Sequence, residues 1–319
     1  MTEIVELLRA EDAFVIAGHR DPDGDSLGSS LALGLALEGM GKRVAVLSAD
    51  PLFAAYSRLP ESDRISVSTV APEGFPVAVL MECNEVARSG IDGLDGRTIV
   101  NIDHHANNPG FGDLNWVDPA VAAVGVMIYR LLQALEVEIT VDMATHLYVA
   151  ILTDTGSFRY SNTDAEAFRV CAELLELGVD AALVAEAIYE DVPRDKVRLL
   201  AAGLSSLIID PDGRVASMVL HHETLAMSPG KPDTEGIVNH AKAIDGVSVA
   251  ALFKEVEPRH YRVSLRSDGA VDVASIAGGF GGGGHPRAAG CMVSGGLDEA
   301  KDAVLSVVRG ALGATEENR

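Results

Sequence analysis

The chain has 319 residues, of which 48% are hydrophobic, and its formal net charge is −22 at pH 7. Its length predicts two domains, and its apolar content is enough for a large core. The acidity argues against the broad basic surface that binds long nucleic acids, so it favours a small anion held in a local pocket, with bound cations offsetting the carboxylates.

Cysteine usage and hydropathy predict the cellular compartment of the protein. Cys83, Cys171 and Cys291 are scattered, which argues against a disulfide framework and against a cysteine-based zinc site. Such usage is typical of a reducing compartment. No apolar run approaches the roughly 18 residues of a membrane span, and the first residues do not have the pattern of a secretion signal. We therefore expect a cytoplasmic protein with no membrane partner.

The first 190 residues predict an α/β domain with a doubly wound parallel sheet. Its strands are expected at four apolar segments: Ala13–Gly18, Arg43–Leu47, Val77–Met81 and Thr98–Ile102. Its helices are expected at Ser26–Met40, Val121–Leu135, Met143–Leu152, Asp164–Leu177 and Ala181–Glu190. Near-continuous apolar strands that alternate with helices indicate strands buried on both faces.

The pattern changes near residue 190, where Asp191–Asp195 interrupts the helical periodicity. We expect a linker helix over 191–205 and a smaller α+β domain over 206–319. Its strands are predicted at Val215–Leu220, Val247–Glu255, Tyr261–Leu265 and Ala289–Val293, and its helices at Thr234–Ala243 and Asp298–Gly310.

Residues suited to metal binding cluster in the loop after the first strand. His19, Asp23 and Asp25 lie within seven residues, and Gly24 would let that loop turn tightly. Asp25 or Ser26 could instead cap the following helix. Capping does not explain His19 or Asp23, so the loop predicts metal ligands.

Further residues of the same chemistry follow other predicted elements. Glu82 comes after the strand that ends at Met81, the triplet Asp103-His104-His105 comes after the strand that ends at Ile102, and Asp154 follows a buried helix. The carboxyl ends of parallel strands share one edge of a sheet, where open α/β sheets bind ligands. The set of two imidazoles and four carboxylates is too large for one ion and suits two ions that share a carboxylate: His19, Asp23, Asp25, Glu82, His104 and Asp154. Two such ions can activate water and hold a phosphoryl group.

These motifs resemble the DHH phosphoesterase superfamily, which is named after the triplet Asp103-His104-His105. The loop His19–Ser29 is similar to the first motif of that family, and the segment Gly281–Gly290 is similar to the signature of its associated C-terminal substrate domain. The resemblance covers residues 12 to 312, and the two-domain size is most similar to the branch of bifunctional oligoribonucleases and 3′-phosphoadenosine 5′-phosphate phosphatases.

The resemblance implies a division of roles among these residues. His19 and Asp23, with the position of Glu82, would hold one metal, and Glu82 would also join the second set: Asp25, His104 and Asp154. His105 would contact the phosphate, with Asp103 in support, and manganese is the implied ion. Most relatives carry Asp where this chain has Glu82, so Glu82 could bridge two ions, bind one of them, or leave a single-metal site.

The second domain offers a set of candidate substrate contacts. Arg262, Ser264 and Arg266 alternate along one strand and so share a face, and arginine pairs well with phosphate oxygens. The glycine run would form a nest of backbone N–H groups for an anion, with basic side chains beside it: Gly282, Gly283, Gly284, His285 and Arg287. A flexible turn is the alternative for this run.

The sequence therefore predicts a manganese-dependent phosphoesterase. The expected partners are short single-stranded RNA or DNA oligonucleotides, or small nucleotides such as 3′-phosphoadenosine 5′-phosphate. One alternative is a phosphodiesterase of linear or cyclic dinucleotides. Another, of a different class, is a non-catalytic nucleotide sensor whose metal site is altered at Glu82. The oligomeric state stays open, and a homodimer is compatible with the sequence.

Overall fold

A computed structural model of the chain describes residues 1–190, 192–228, 230 and 232–317. The chain divides into two compact units at residues 191 and 192. Each unit is built around its own six-stranded sheet. Among the described residues, no helix combines the length and apolar character needed to cross a lipid bilayer.

The sheet of the first unit is parallel throughout. Its strands are β1 (Ala13–Ala17), β2 (Arg43–Ser48), β3 (Ile65–Val67), β4 (Val77–Met81), β5 (Thr98–Asp103) and β6 (Leu114–Val117). They lie in the order β3-β2-β1-β4-β5-β6, and every neighbouring pair is parallel. The chain thus moves outward from β1 and returns to the centre at β4. This order confirms the predicted doubly wound sheet and places its switch point between β1 and β4.

Both faces of this sheet are covered. Phe14 and Ile16 of β1 pack into a core with the helices, whereas Val15 and Ala17 pack on the opposite face against the loops of residues 71–94. The helices are α1 (Thr2–Ala10), α2 (Gly24–Gly39), α3 (Val124–Leu135), α4 (Val141–Asp154), α5 (Ala165–Glu176) and α6 (Ala181–Ala185), followed by a π-helical turn (Glu186–Glu190).

The connections between β2 and β6 differ from the expected alternation of strands and helices. They are loops with short 3₁₀ turns at Tyr56–Arg58, Ser62–Arg64 and Val86–Ser89. The edge strands β3 and β6 were missed because they have only three and four residues and mix apolar with polar side chains. A pattern that short carries little periodic signal.

The second unit contains a mixed sheet, which confirms the predicted α+β class. Its strands are β7 (Ile208–Ile209), β8 (Val215–Leu220), β9 (Val249–Glu257), β10 (His260–Ser267), β11 (Gly283–His285) and β12 (Ala288–Ser294), and its helices are α7 (Arg194–Ser205), α8 (His222–Leu225), α9 (Ile237–Lys242), α10 (Val273–Gly278) and α11 (Leu297–Glu317). The strand order is β11-β12-β10-β9-β8-β7, in which only β8 and β9 are parallel. Leu199 of α7, the helix expected as a linker, packs into the core of this unit.

Helices α2 and α4 approach closely in the first unit. A Cβ atom added at Gly28 of α2 would lie 2.4 Å from the backbone oxygen of His146 in α4. We therefore expect Gly28→Ala to lower the free energy of unfolding by about 1–3 kcal/mol in urea denaturation. Gly39, at the end of α2, has nothing within 4 Å of an added Cβ, so Gly39→Ala is the control and should not be destabilising. Equal losses for the two variants would contradict this packing.

Candidate metal centre

The side chains expected to bind metals lie at the carboxyl edge of the first sheet. The loop with His19 follows β1, Glu82 follows β4, and the triplet that begins with Asp103 lies at the end of β5. These strands are neighbours around the switch point of the sheet. Asp154, the last residue of α4, completes the group.

His19, Asp23 and Glu82 form a first cluster, in which one ligand atom of each lies within 4.8 Å of the other two. His19 Nε2 is 3.7 Å from Asp23 Oδ2. His19 Nδ1 is 2.7 Å from the carbonyl oxygen of Arg20. Because a carbonyl only accepts, Nδ1 carries a proton, and Nε2 is the nitrogen that a metal would use. The Asp23 side chain is 42% exposed, so this cluster opens to solvent.

Asp25, His104 and Asp154 form a second cluster with the same 4.8 Å limit. His104 Nε2 is 3.6 Å from Asp154 Oδ2, and the His104 side chain is only 3% exposed. His104 Nδ1 lies 3.0 Å from the carbonyl oxygen of Val121, so it too must be the protonated nitrogen. The second cluster is therefore the more buried of the two, with its imidazole held in one orientation by the backbone.

Glu82 reaches both clusters. It belongs to the first, yet its Oε1 lies 3.5 Å from His104 Nε2 in the second. Its Oε2 is buried and has no hydrogen-bond partner among the described residues. Its backbone is left-handed, with φ at 54°, a conformation that costs a non-glycine residue about 1–3 kcal/mol and tends to occur at functional sites. A carboxylate placed in this way is suited to act as a ligand that two metal ions share.

The first loop is held against the end of α4 by local packing. Asp23 caps α2 by accepting from the Ser26 N–H at 3.0 Å. The cap is therefore neither of the alternatives Asp25 and Ser26, and the expectation that capping does not explain Asp23 is wrong. Gly24 does not have a left-handed turn conformation. It permits close approach instead, because an added Cβ would lie 2.4 Å from Thr153 Oγ1, next to Asp154.

Asp25 is positioned by the N-terminus of α3. Its carboxylate accepts from the backbone N–H of Val124 at 2.7 Å and of Gly125 at 2.8 Å, and from Ser29 Oγ at 3.0 Å. Asp25 thus caps a helix about 100 residues away, and α3 starts at Val124 rather than at the predicted Val121. A carboxylate has about four acceptor sites, so these three bonds leave one for a further ligand.

Three of the four carboxylates in the two clusters are disfavoured in their ionised form: Asp25, Glu82 and Asp154. Burial raises the pKa of Asp25 to about 6 and that of Asp154 to about 8. Burial and the charges of Asp25 and Asp23 raise the pKa of Glu82 well above its usual range. Burial alone would lower the pKa of His104, but its hydrogen bond with Glu82 and the charge of Asp154 raise it to about 11. These shifts favour the protonated forms, so a cation that bound here would displace protons.

These residues fit divalent metal ions. The donor set is carboxylate oxygens and imidazole nitrogens, which suits manganese, iron or zinc. Glu82 Oε2 is buried without a hydrogen-bond partner in the described part of the chain, and a cation would satisfy it. The arrangement in two adjacent clusters matches the division of ligands that the family resemblance implies.

Asp103 and His105 flank His104 in the chain and form a hydrogen-bonded pair with each other. Asp103 Oδ1 accepts from the His105 backbone N–H at 3.0 Å and from His105 Nδ1 at 2.7 Å. Burial would raise the pKa of the Asp103 carboxyl, but the hydrogen bond and charge of His105 hold it below its usual range. A charged Asp103 therefore fixes the ring of His105 and makes Nε2 the atom that would meet a ligand.

Two asparagines outside the two clusters support residues of the site. Asn162 Nδ2 contacts Asp154 at both Oδ2, 3.2 Å away, and the backbone oxygen, 3.1 Å away. Asn108 donates to Asp103. Both stand in polar segments just after a metal motif, which is the one signal in the sequence that could have identified them.

The candidate substrate strand of the second unit has the expected alternation. Along β10, Val263 and Leu265 are buried, whereas Arg262, Ser264 and Arg266 lie on the other face. Arg266 Nη1 donates to the Leu265 carbonyl at 3.0 Å, and its buried Nε has no partner within the described residues. A bound phosphate oxygen would satisfy that N–H.

The second half of the glycine run is a strand and not part of the predicted nest. Gly283, Gly284 and His285 form the edge strand β11, which pairs antiparallel with β12. His285 lies opposite Ala288, and Ala288 lies opposite Arg266, so His285 and Arg266 share one row and one face of the sheet. Gly282 precedes this strand, and the Arg287 side chain lies near Gly269, at the turn after β10.

Metal binding should be coupled to proton release. With pKa values of about 8 for Asp154 and about 11 for His104, protons must leave both groups at neutral pH before they can bind a metal. We expect Mn²⁺ affinity to rise from pH 6 to pH 8, and calorimetry in buffers of different ionisation enthalpy should detect the released protons. Asp154→Asn should reduce the rise in Mn²⁺ affinity with pH and the number of protons released. Asp142→Asn, at the other end of α4, should change neither quantity. Affinity that is independent of pH would contradict this description.

Comparison with known proteins identifies the family. The N-terminal domain of the DHH family matches residues 13–151, and the DHHA1 domain matches residues 229–314. The bifunctional oligoribonuclease and PAP phosphatase NrnA of Thermus thermophilus is 37% identical over 314 residues, which cover 97% of this chain and 93% of that protein. A protein from Streptococcus mutans, named as a probable bifunctional oligoribonuclease and PAP phosphatase NrnA, is 31% identical over 90% of this chain and 91% of its own length.

A solved structure has the same fold along nearly the whole chain. It is an exopolyphosphatase-related protein from Bacteroides fragilis, with a TM-score of 0.88 and 25% identity over 99% of this chain and 97% of that chain. The resemblance predicted from the sequence motifs is confirmed. This chain belongs to the DHH family, with an N-terminal DHH domain followed by a DHHA1 domain.

Proposed function

We propose that this DHH-family hydrolase is a manganese-dependent phosphoesterase that cleaves short oligonucleotides and 3′-phosphoadenosine 5′-phosphate. The observation that carries the proposal is the pair of adjacent carboxylate–imidazole clusters joined by Glu82. Its support from relatives is the name of the Thermus thermophilus protein, which describes both an oligoribonuclease and a PAP phosphatase.

The first cluster would hold one divalent ion, and the second cluster, together with Glu82, would hold another. When bound, such ions lower the pKa of a bound water toward neutrality and offset the charge of a phosphoryl group. The protein keeps the ligands in place through bonds from outside the clusters. The α3 N-terminus holds Asp25, Asn162 holds Asp154, and the Val121 carbonyl holds His104.

His105 would contact the phosphoryl oxygens of the substrate. Its Nδ1–H is occupied by Asp103, so its Nε2 is the atom that would face the phosphate. A preoriented group of this kind needs no reorganisation during the reaction, which is the condition for effective electrostatic stabilisation. The exposed carboxylate of Asp23 lies at the open side of the site, where a substrate can enter.

The second unit would recognise the non-reacting part of the substrate. The row that contains Arg266 and His285 would bind a terminal phosphate, with Arg262 and Ser264 on the same face. The net charge of −22 and the single tryptophan favour a substrate of one to a few nucleotides over a long strand.

Removal of one carboxylate of the second cluster should abolish hydrolysis. Asp154→Ala is expected to lower kcat by at least about a thousandfold, because it removes a metal ligand from the reacting centre. Asp142→Ala in the same helix is the matched control and should retain wild-type kcat. Both variants should keep the wild-type circular dichroism spectrum. Full manganese-dependent activity in Asp154→Ala would rule out the assigned centre.

Loss of the half-buried guanidinium of Arg266 should weaken substrate binding instead. A hydrogen bond to a charged group contributes about 1.5–3 kcal/mol, so Arg266→Gln should raise KM for 3′-phosphoadenosine 5′-phosphate by about 10- to 100-fold with little change in kcat. Arg259→Gln is the control, since Arg259 is exposed and pairs with Glu299. An unchanged KM in Arg266→Gln would remove Arg266 from the substrate site.

A substrate panel tests the proposed function itself. Initial rates would be measured with Mn²⁺ on oligonucleotides from two residues upward, 3′-phosphoadenosine 5′-phosphate, cyclic dinucleotides and pyrophosphate. We expect the highest kcat/KM on the shortest oligonucleotides and on 3′-phosphoadenosine 5′-phosphate. A preference for cyclic dinucleotides would favour the alternative phosphodiesterase, and binding without turnover would favour the sensor.

A further inference from the structure

Asn108 occupies the turn that follows the metal-site triplet, and its side chain faces two ways. Its Oδ1 accepts from the Gly110 N–H at 2.8 Å, and its own backbone N–H donates to the His105 carbonyl at 3.1 Å, so both bonds shape the turn. Its Nδ2 group makes two further bonds outside the turn, to the carbonyl of Cys83 at 2.8 Å and to Asp103 Oδ2. Both amide hydrogens are thus used.

The first of these acceptors fixes the backbone beside Glu82. Cys83 directly follows Glu82, whose left-handed conformation needs support from its surroundings. The Cys83 carbonyl receives a second amide, from Asn101 Nδ2 at 3.0 Å. Two buried or half-buried amides therefore converge on the Cys83–Asn84 peptide, one residue beyond the strained Glu82.

The second acceptor fixes the ring of His105. Asp103 offers Oδ1 to His105 and Oδ2 to Asn108, so each carboxylate oxygen is engaged. The Asp103 side chain is 1% exposed, which prevents water from replacing the amide easily. A continuous path of hydrogen bonds results, from the Cys83 carbonyl through Asn108 and Asp103 to His105.

We propose that Asn108 is a positioning residue that fixes the backbone beside Glu82 and the ring of His105 relative to each other. Among the described residues, its side chain makes no hydrogen bond to a member of the two metal clusters, so it would act only through Cys83 and Asp103. The effect on catalysis rests on the proposed function, whereas the effect on the His105 ring does not.

The chain offers variants that separate this role from a role in the turn. Asn108→Asp keeps an acceptor for the Gly110 N–H but, when ionised at pH 8, has no donor for Cys83 or Asp103. Asn108→Ala loses the acceptor for the Gly110 N–H as well as the donors for Cys83 and Asp103. Asn107→Asp and Asn107→Ala make the same chemical changes at the neighbouring exposed position and are the matched controls.

At saturating Mn²⁺, both Asn108 variants should lose kcat on a dinucleotide by about 10- to 100-fold, the usual cost of removing a partner of a site residue. KM should change by less than about threefold, and both Asn107 variants should behave as wild type. If Asn108 only shapes the turn, Asn108→Asp will keep wild-type kcat, and that result would overturn the proposal.

Nuclear magnetic resonance of the metal-free protein gives a second readout that needs no turnover. The His105 Nδ1–H proton, bonded to Asp103, should give a downfield signal that is lost or moved upfield in both Asn108 variants. The same signal should persist in both Asn107 variants. An unchanged His105 signal in the Asn108 variants would overturn the proposal, even if the wild-type protein hydrolysed none of the substrates in the panel.

Discussion

The main constraint on the first unit is the mutual repulsion of four carboxylates that lie close together at one edge of its parallel sheet: Asp23, Asp25, Glu82 and Asp154. Two unit charges 4 Å apart repel by about 4 kcal/mol at an effective dielectric constant of about 20. A hydrogen bond contributes only about 0.5–1.5 kcal/mol, so the bonds that Asp25 receives from α3 cannot offset several such pairs. Either protons or cations can do so. Burial and the neighbouring carboxylates raise the pKa values of Glu82 and Asp154, which favours their protonated forms unless a cation binds. This requirement connects the acidity of the site to the chemistry proposed for it.

The fold provides this concentration of charge by joining segments that are distant in sequence. The switch point between β1 and β4 sets the first loop beside Glu82 and the β5 triplet. The helix α4 adds Asp154 because Gly24 lets the loop pack against Thr153. The N-terminus of α3 completes the site by binding Asp25. Glu82 has a strained, left-handed backbone in the same site. Such strain persists only where the surrounding structure holds the residue in place.

The sequence was sufficient to predict the four central strands of the first-unit sheet, the metal-type residues and the family, because each depends on local pattern. His19, Glu82 and His104 could be identified because they follow apolar strands whose carboxyl ends must meet. The start of α3 could not be predicted, since its cap, Asp25, lies about 100 residues earlier in the chain. The roles of Asn108 and Asn162 depend on tertiary contacts for the same reason.

The glycine run shows the opposite case, in which a local pattern suggested the wrong conformation. Consecutive glycines are typical of anion-binding turns, but Gly283 and Gly284 pair with β12 as an edge strand. Their sequence does not reveal this pairing, because the partner strand decides it. The consequence for function is small, since the row across β10, β12 and β11 still sets His285 and Arg266 on one face.

The central claim is that two ions bind side by side and share Glu82, and anomalous diffraction at the manganese edge tests it most directly. Crystals grown with Mn²⁺ should show two peaks, one among His19, Asp23 and Glu82 and the other among Asp25, His104 and Asp154, with the Glu82 carboxylate in contact with both. A single peak, or two peaks of which Glu82 touches only one, would contradict the account.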